Sequence, residues 1–227
     1  MTKDMLLIRN VKKNYGGDSI FSGISLELKK GRSLAVTGSS GGGKTTLLSI
    51  VGLLQQPTSG LVQLEGRDVT SLSPDAQAAV RNQYYGYVFQ RSRLVGSLTA
   101  LENVMVPAWL NRSGRDMEKR AHSLLCGLGL GHRLHHRPRE LSLGQLRRVA
   151  LARALLLEPP ILLADEPTND LDPVLADEVA GRLFEAAKKG NVLMMITHDP
   201  AVAARADDVY ELEDGKLRIK DFARDVG

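Results

Sequence analysis

Gly38-Ser39-Ser40-Gly41-Gly42-Gly43-Lys44-Thr45 has the spacing G-x-x-x-x-G-K-[ST], a pattern that suits phosphate binding. Its glycines let the backbone turn N–H groups inward around phosphate oxygens, and a helix that follows would present its positive N-terminal end to them. Lys44 would neutralise β- and γ-phosphates, and the Thr45 hydroxyl would ligate Mg²⁺. Thr46, next in the chain, is counted with the nucleotide-binding residues. A glycine-rich linker that happened to precede Lys-Thr would lack the apolar run before it, Leu34 to Thr37, and the helix pattern after it.

Three further places put polar residues directly after apolar runs: Gln90 after Tyr87 to Phe89, Asp165-Glu166 after Ile161 to Ala164, and His198-Asp199 after Val192 to Thr197. Each alone reads as a polar cap on a strand. Together with the phosphate loop they would ring one site, because ligands of open α/β sheets bind outside the carboxyl ends of the strands. Asp165 is then the second Mg²⁺ group, and Glu166 is placed to polarise a water for in-line attack as general base. Gln90 offers an amide to Mg²⁺ and to that water, and His198 a hydrogen bond to the γ-phosphate as charge develops.

The elements that must position these residues follow from periodicity. Short buried runs alternate with helix patterns at Lys44 to Leu54, Asp172 to Lys188 and Pro200 to Ala206, as in a mostly parallel α/β sheet. Met5 to Val11, Ile24 to Lys29 and Leu61 to Glu65 alternate like half-exposed antiparallel strands, and Asp214-Gly215 reads as a hairpin turn. Between about Thr99 and Leu157 helix patterns dominate, broken at Gly114, Gly127, Gly129, Gly131 and Pro138.

Composition narrows the partners. The chain has 227 residues, enough for one large domain, and a single cysteine, Cys126, which excludes an internal disulfide and fits a reducing compartment. No apolar stretch approaches the roughly 20 residues of a membrane span. Asp4 and Arg9 flank a short apolar run, so no secretory leader is expected at the N-terminus. The net charge of +4 is uneven: Arg112 to Arg153 carries ten Lys and Arg against three acids, and His122, His132, His135 and His136 lie there too. Such a stretch suits nucleic acid, anionic headgroups or phosphates, or is simply a solvated helix face. Aromatics make up 4% of the chain, with none between Asn111 and Phe184, so the stacking platform that single-stranded nucleic acid needs is missing. The irregular spacing of His132, His135 and His136 does not suit a metal site.

Leu141-Ser142-Leu143-Gly144-Gln145, followed by Arg147-Arg148-Val149-Ala150-Leu151-Ala152-Arg153-Ala154, resembles the signature motif of ABC-transporter nucleotide-binding subunits. Phosphate loop, Gln90, signature, Asp165-Glu166, the Asn169-Asp170-Leu171-Asp172 segment and His198 occur in that family's order, so the resemblance covers nearly the whole chain. Tyr15 stands where the family places an aromatic on adenine. Tyr87-Val88-Phe89-Gln90, Leu98 to Val104 and Ala164 to Asn169 look most like the lipoprotein-releasing, macrolide-exporting and cell-division cassettes. Leu143 departs from the family's usual Gly, and Asn169-Asp170 from a common Gly-Asn.

The resemblance implies an α/β fold with a P-loop NTPase core, a mostly parallel sheet, an N-terminal antiparallel β subdomain and an inserted α-helical subdomain. On this reading residues 1–92 and 159–227 form the core and about 93–158 the helical part. It implies an ATPase using ATP and Mg²⁺. Two copies would sandwich each ATP between the phosphate loop of one and Ser142, Leu143, Gly144 and Gln145 of the other. The bulk of Leu143 is expected to hinder that closure, and the arginines of the signature helix are expected to aim at the triphosphate. The implied partners are a second copy, integral membrane permease subunits and a periplasmic adaptor, with no nucleic acid. The implied place is the cytoplasmic face of the inner membrane, attached peripherally. Two rivals are a cell-division type regulatory ATPase that transports nothing, and a soluble ABC ATPase acting on nucleic acid, which usually needs two cassettes or long insertions.

Overall fold

The computed structural model describes residues 4–111 and 116–220. Gly114 and the basic Arg112 and Arg115 lie outside the described residues. Strands run in the order β1 (Asp4–Tyr15), β2 (Asp18–Lys29), β3 (Ser33–Thr37), β4 (Ser59–Leu64), β5 (Arg67–Asp68), β6 (Tyr85–Val88), β7 (Ile161–Asp165), β8 (Val192–Ile196), β9 (Asp208–Glu213) and β10 (Lys216–Ile219). The helices are α1 (Lys44–Val51), α2 (Pro74–Tyr84), α3 (Ala100–Leu110), α4 (Asp116–Gly127), α5 (Leu143–Leu155), α6 (Pro173–Lys188) and α7 (Pro200–Ala203).

Two sheets form. One is antiparallel, in the order β2-β1-β4-β5; the other is β10-β9-β3-β8-β7-β6, parallel except for β10, which pairs with β9 across the Asp214-Gly215 turn. Every residue of β3, β7 and β8 is buried, as interior parallel strands covered on both faces require, while β2 alternates buried and exposed. The pleat divides the core. Leu162 and Ala164 of β7 and Leu193 and Met195 of β8 face one cluster with helices α3 to α6, whereas Ile161, Leu163, Val192, Met194 and Ile196 face α1 and the antiparallel sheet. Among the described residues no helix is long and apolar enough to cross a membrane.

The α/β class and the antiparallel N-terminal strands are as the alternation predicts. Several boundaries shift for local reasons. Helix α1 ends at Val51 instead of Leu54, because Gly52 caps it and Leu53 turns left-handed at φ 58. A Cβ at position 52 would press into the Tyr87 ring at 2.6 Å. Strand β6 starts at Tyr85 and stops before Phe89, and α7 is a single turn ending at Ala203. Helix α2 has no counterpart among the expected elements: its one fully buried residue is the polar Gln77, and Val80 and Tyr84 on the same face pack on the core only partly buried, so its apolar stripe is thin.

Candidate functional site

The strand order brings the ends of β3, β8, β7 and β6 side by side, so the phosphate loop, His198, Asp165-Glu166 and Gln90 line one edge of the sheet in that sequence. Register keeps the ends level, with Ile196 opposite both Val36 and Asp165 and Val88 opposite Ala164.

The loop is backbone built for close approach. Gly38, Gly41 and Gly43 have φ of 133°, 79° and 90°, values that residues with a Cβ rarely adopt. A Cβ on Gly38 would also collide with the Leu212 carbonyl of β9. Ser39 and Ser40 are exposed, and Gly42 N–H donates to Ser39 O at 3.2 Å. Helix α1 starts at Gly43 with no side-chain cap and no acid in its first turn, whereas α2, α3, α5, α6 and α7 are each capped by their own Ser, Thr or Asp. Its N-terminal N–H groups thus remain for an anion. Lys44 Nζ donates to Gly38 O at 2.8 Å and Ser39 O at 2.7 Å, which holds a cation against the loop.

Thr45 Oγ1 donates to Asp165, 3.1 Å from Oδ2 and 3.3 Å from Oδ1. Burial pushes the Asp165 carboxyl above its ordinary value, and the Thr45 hydroxyl only partly opposes this. A buried carboxylate beside a hydroxyl is an all-oxygen donor set, the kind a hard divalent cation such as Mg²⁺ prefers. Glu166 takes φ 45, fixed by its N–H donating to Ile196 O at 2.9 Å. Its Oε2 lies 2.8 Å from His198 Nδ1 and accepts from His198 N–H at 3.2 Å. The Glu166 side chain is 13% exposed against 63% for His198, so the carboxylate sits in and the imidazole out.

Gln90 is exposed and lines, with Thr45, Leu48, Gln55, Phe89 and Asp165, a cleft of about 800 Å³. Tyr15 is 48% exposed; its hydroxyl accepts from Gln55 Nε2, and Lys13 Nζ lies 4.9 Å from its ring centroid. The Gln55 bond chiefly, and Thr46 as well, lower the Tyr15 hydroxyl below its ordinary value. Gln55, which tethers Tyr15 from just past α1, is absent from the sequence reading, and no local signal marks it.

The signature residues are not brought into this cluster. Ser142 Oγ accepts from Gln145 N–H at 3.3 Å, and Gln145 Oε1 accepts from Ser142 N–H at 3.0 Å, so the turn caps itself. Leu143 is 51% exposed, and a Cβ on Gly144 would press Leu175 Cδ2 at 2.6 Å, so Gly144 lets α5 approach α6. The expectation that the helix's arginines aim at a triphosphate is corrected. Arg147 donates to Phe89 O at 2.8 Å, Arg148 to Leu128 O at 3.5 Å, and Arg153 to Arg93 O at 2.9 Å and Ser92 O at 2.8 Å. All of these guanidinium groups turn into the protein, where each donates to a carbonyl from another element, and Arg148 also pairs with Glu178 at 3.5 Å.

The model of the ABC transporter family matches residues 21–169. The chain belongs to this family. It is 43% identical to the lipoprotein-releasing system ATP-binding protein LolD of Shewanella frigidimarina, covering 95% of this chain and 92% of that one. It is 41% identical to the macrolide export ATP-binding/permease protein MacB of Hyphomonas neptunium over 96% of this chain, and spans only 34% of the length of that relative. The ATP-binding cassette MJ0796, solved as a post-hydrolysis dimer bound to ADP and Pi, superposes with a TM-score of 0.90 at 34% identity, covering 95% of this chain and 98% of that one. The fold is therefore the ABC ATPase cassette, an α/β P-loop NTPase core.

Proposed function

We propose that the chain is an ATP-hydrolysing subunit of a membrane ABC complex, which pairs with a second copy around two ATP molecules and drives membrane subunits in export or substrate extraction. The observation that carries this reading is the Glu166–His198 contact of 2.8 Å, set at a strand end beside the Thr45–Asp165 pair. A structural ion pair has no need of a phosphate loop one strand away.

Each residue has a task. Lys44 exchanges the Gly38 and Ser39 carbonyls for β- and γ-phosphate oxygens, and the uncapped N–H groups of α1 hold the same phosphates. Gly38 to Gly43 and Thr46 wrap the triphosphate, and Tyr15 takes the adenine. Thr45 Oγ1, Asp165 and Gln90 would hold Mg²⁺, which when bound supplies charge neutralisation at the β- and γ-phosphates. Both bonds to Glu166 from His198 use Oε2, which leaves Oε1 to accept the proton of the attacking water. As that water's oxygen bonds the γ-phosphorus, the bond to the bridging oxygen breaks, giving ADP and phosphate. His198, once its ring turns from Glu166, donates to the γ-phosphate. Ser142, Leu143, Gly144 and Gln145 meet the nucleotide held by the other copy.

The proposed place is the cytoplasmic face of the inner membrane, with attachment through permease subunits and a periplasmic adaptor as a further partner; the permease in the name of the MacB relative supports the membrane attachment. The test is Glu166→Gln. Turnover should fall about 10³-fold or more while ATP binding persists and an ATP-bound dimer accumulates, read by phosphate release and size-exclusion chromatography. Near-normal turnover would remove Glu166 as the base.

A further inference from the structure

Helix α5 grips the stretch that carries Gln90 at three backbone oxygens. Arg147 Nη1 donates to Phe89 O at 2.8 Å, while Arg153 donates from Nη2 to Ser92 O at 2.8 Å and from Nη1 to Arg93 O at 2.9 Å. These carbonyls bracket Gln90 and Arg91. Because Ser142 caps the start of α5, the signature turn and Gln90 are joined through one rigid element and three charge-assisted bonds.

A guanidinium is a costly way to hold one carbonyl. Arg147 is 3% exposed and its buried Nε has no hydrogen-bond partner. Burial pushes it below its ordinary value, against the opposing pull of Asp170 and Asp165. Packing alone would be served by an apolar side chain, since buried charges are often replaced by apolar residues without loss of stability. An apolar residue, however, makes no link. Arg147 joins the Phe89 carbonyl to the field of two carboxylates, and with Gln90, Leu143 and Asp170 it lines a cleft of about 560 Å³.

We propose that Arg147 is a positioning residue for ATP hydrolysis: it ties the backbone at Phe89 to α5, so that Gln90 and the signature turn move as one body. Arg153 makes the second tie, on the other side of Gln90. This inference rests on the ATPase reading above. Gln90 then shares one position with α5 relative to Thr45 and Asp165; with the tie cut, Gln90 reaches its place only as one of many loop conformations.

A double-mutant cycle on the full chain tests it. Arg147→Met should lower kcat about ten- to a hundredfold with KM for ATP changed by no more than about threefold, since misplacement costs the transition state and not ground-state binding. In a Gln90→Ala background the same substitution should cost no more than about a further threefold, because its effect runs through Gln90. Arg147→Lys, which still donates to Phe89 O, should recover most of kcat. Losses that multiply across the cycle, or wild-type kcat in Arg147→Met, overturn the tie. Should thermal unfolding show Arg147→Met unfolded, Arg147→Gln runs through the same cycle, with multiplying losses again the overturning result. An unsubstituted chain that neither binds nor hydrolyses ATP sinks the ATPase reading and this inference with it; turnover in that chain with multiplying losses sinks the tie alone.

Discussion

The residue ahead of helix α1 is Gly43, at φ 90 with no side-chain cap for the first turn, whereas the residue ahead of α5 is Ser142, which closes a reciprocal cap with Gln145. Both helices open glycine-bearing turns that the family resemblance assigns to nucleotide. The first is left unsatisfied by its own sequence and has Lys44 folded over it. The second is already satisfied, carries no acid or base of its own in the turn, and shows a half-exposed Leu143. On the function proposed above, the difference teaches that the phosphate-loop end binds on its own, while the signature end gains a ligand only when another surface is brought to it. The dimer proposed above supplies that surface.

The most damaging way to break the comparison is at the self-sufficient end. Lys44→Ala should weaken ATP binding by the isolated chain about a hundredfold and lower turnover at least as much, because a charge-assisted contact to phosphate is lost with no substitute. Fluorescent-nucleotide titration reads this directly. Affinity within about threefold of the unsubstituted chain would mean that the open end of α1, and not the ammonium, holds the phosphates.

The two ends were not equally legible. For α1 the glycines, Lys44 and a preceding apolar run sit within a dozen residues, so loop, strand and helix can be read together. Likewise β7 and β8 are continuous apolar runs, and their ends mark Asp165 and His198 without any knowledge of neighbours. The signature helix is different because its behaviour depends on distant backbone. Arg147 and Arg153 meet carbonyls 58 to 61 residues away, and no local pattern says whether such an arginine faces ligand or protein. Helix α2 escaped for another reason: the residue at the centre of its inner face is Gln77, which bonds Val69 O and Thr70 O, and Ser73 caps it, while Val80 and Tyr84 pack on the core only partly buried.

The self-capped end is broken at Ser142. Ser142→Ala removes the Oγ that accepts from Gln145 N–H and should cost about 1 kcal/mol of stability, a fall of about 2–4 °C in Tm for a chain of this size. Turnover should drop about tenfold with ATP binding by the isolated chain unchanged. Ser142→Gly sharpens the point, since glycine is tolerated at an N-cap at a cost of only a few tenths of a kcal/mol. It should keep Tm and still lose turnover. If both substitutions lower Tm and turnover in proportion, Ser142 serves the helix and not the nucleotide.

The smallest expected effect is at Leu143, the first residue of α5. Its side chain stands half exposed beside the cleft that Gln90, Arg147 and Asp170 also line, so any surface approaching the Ser142 turn must pack against it or push it aside. Leu143→Gly removes that bulk. The change costs the helix up to about 1 kcal/mol of propensity, and less this close to the end. ATP binding by the isolated chain should not move, because α1 does that work, while hydrolysis in the assembled complex should rise about threefold. A falling rate would give Leu143 the opposite role: its exposed side chain would be a contact that the approaching surface uses, and the signature end would be sticky in its own right.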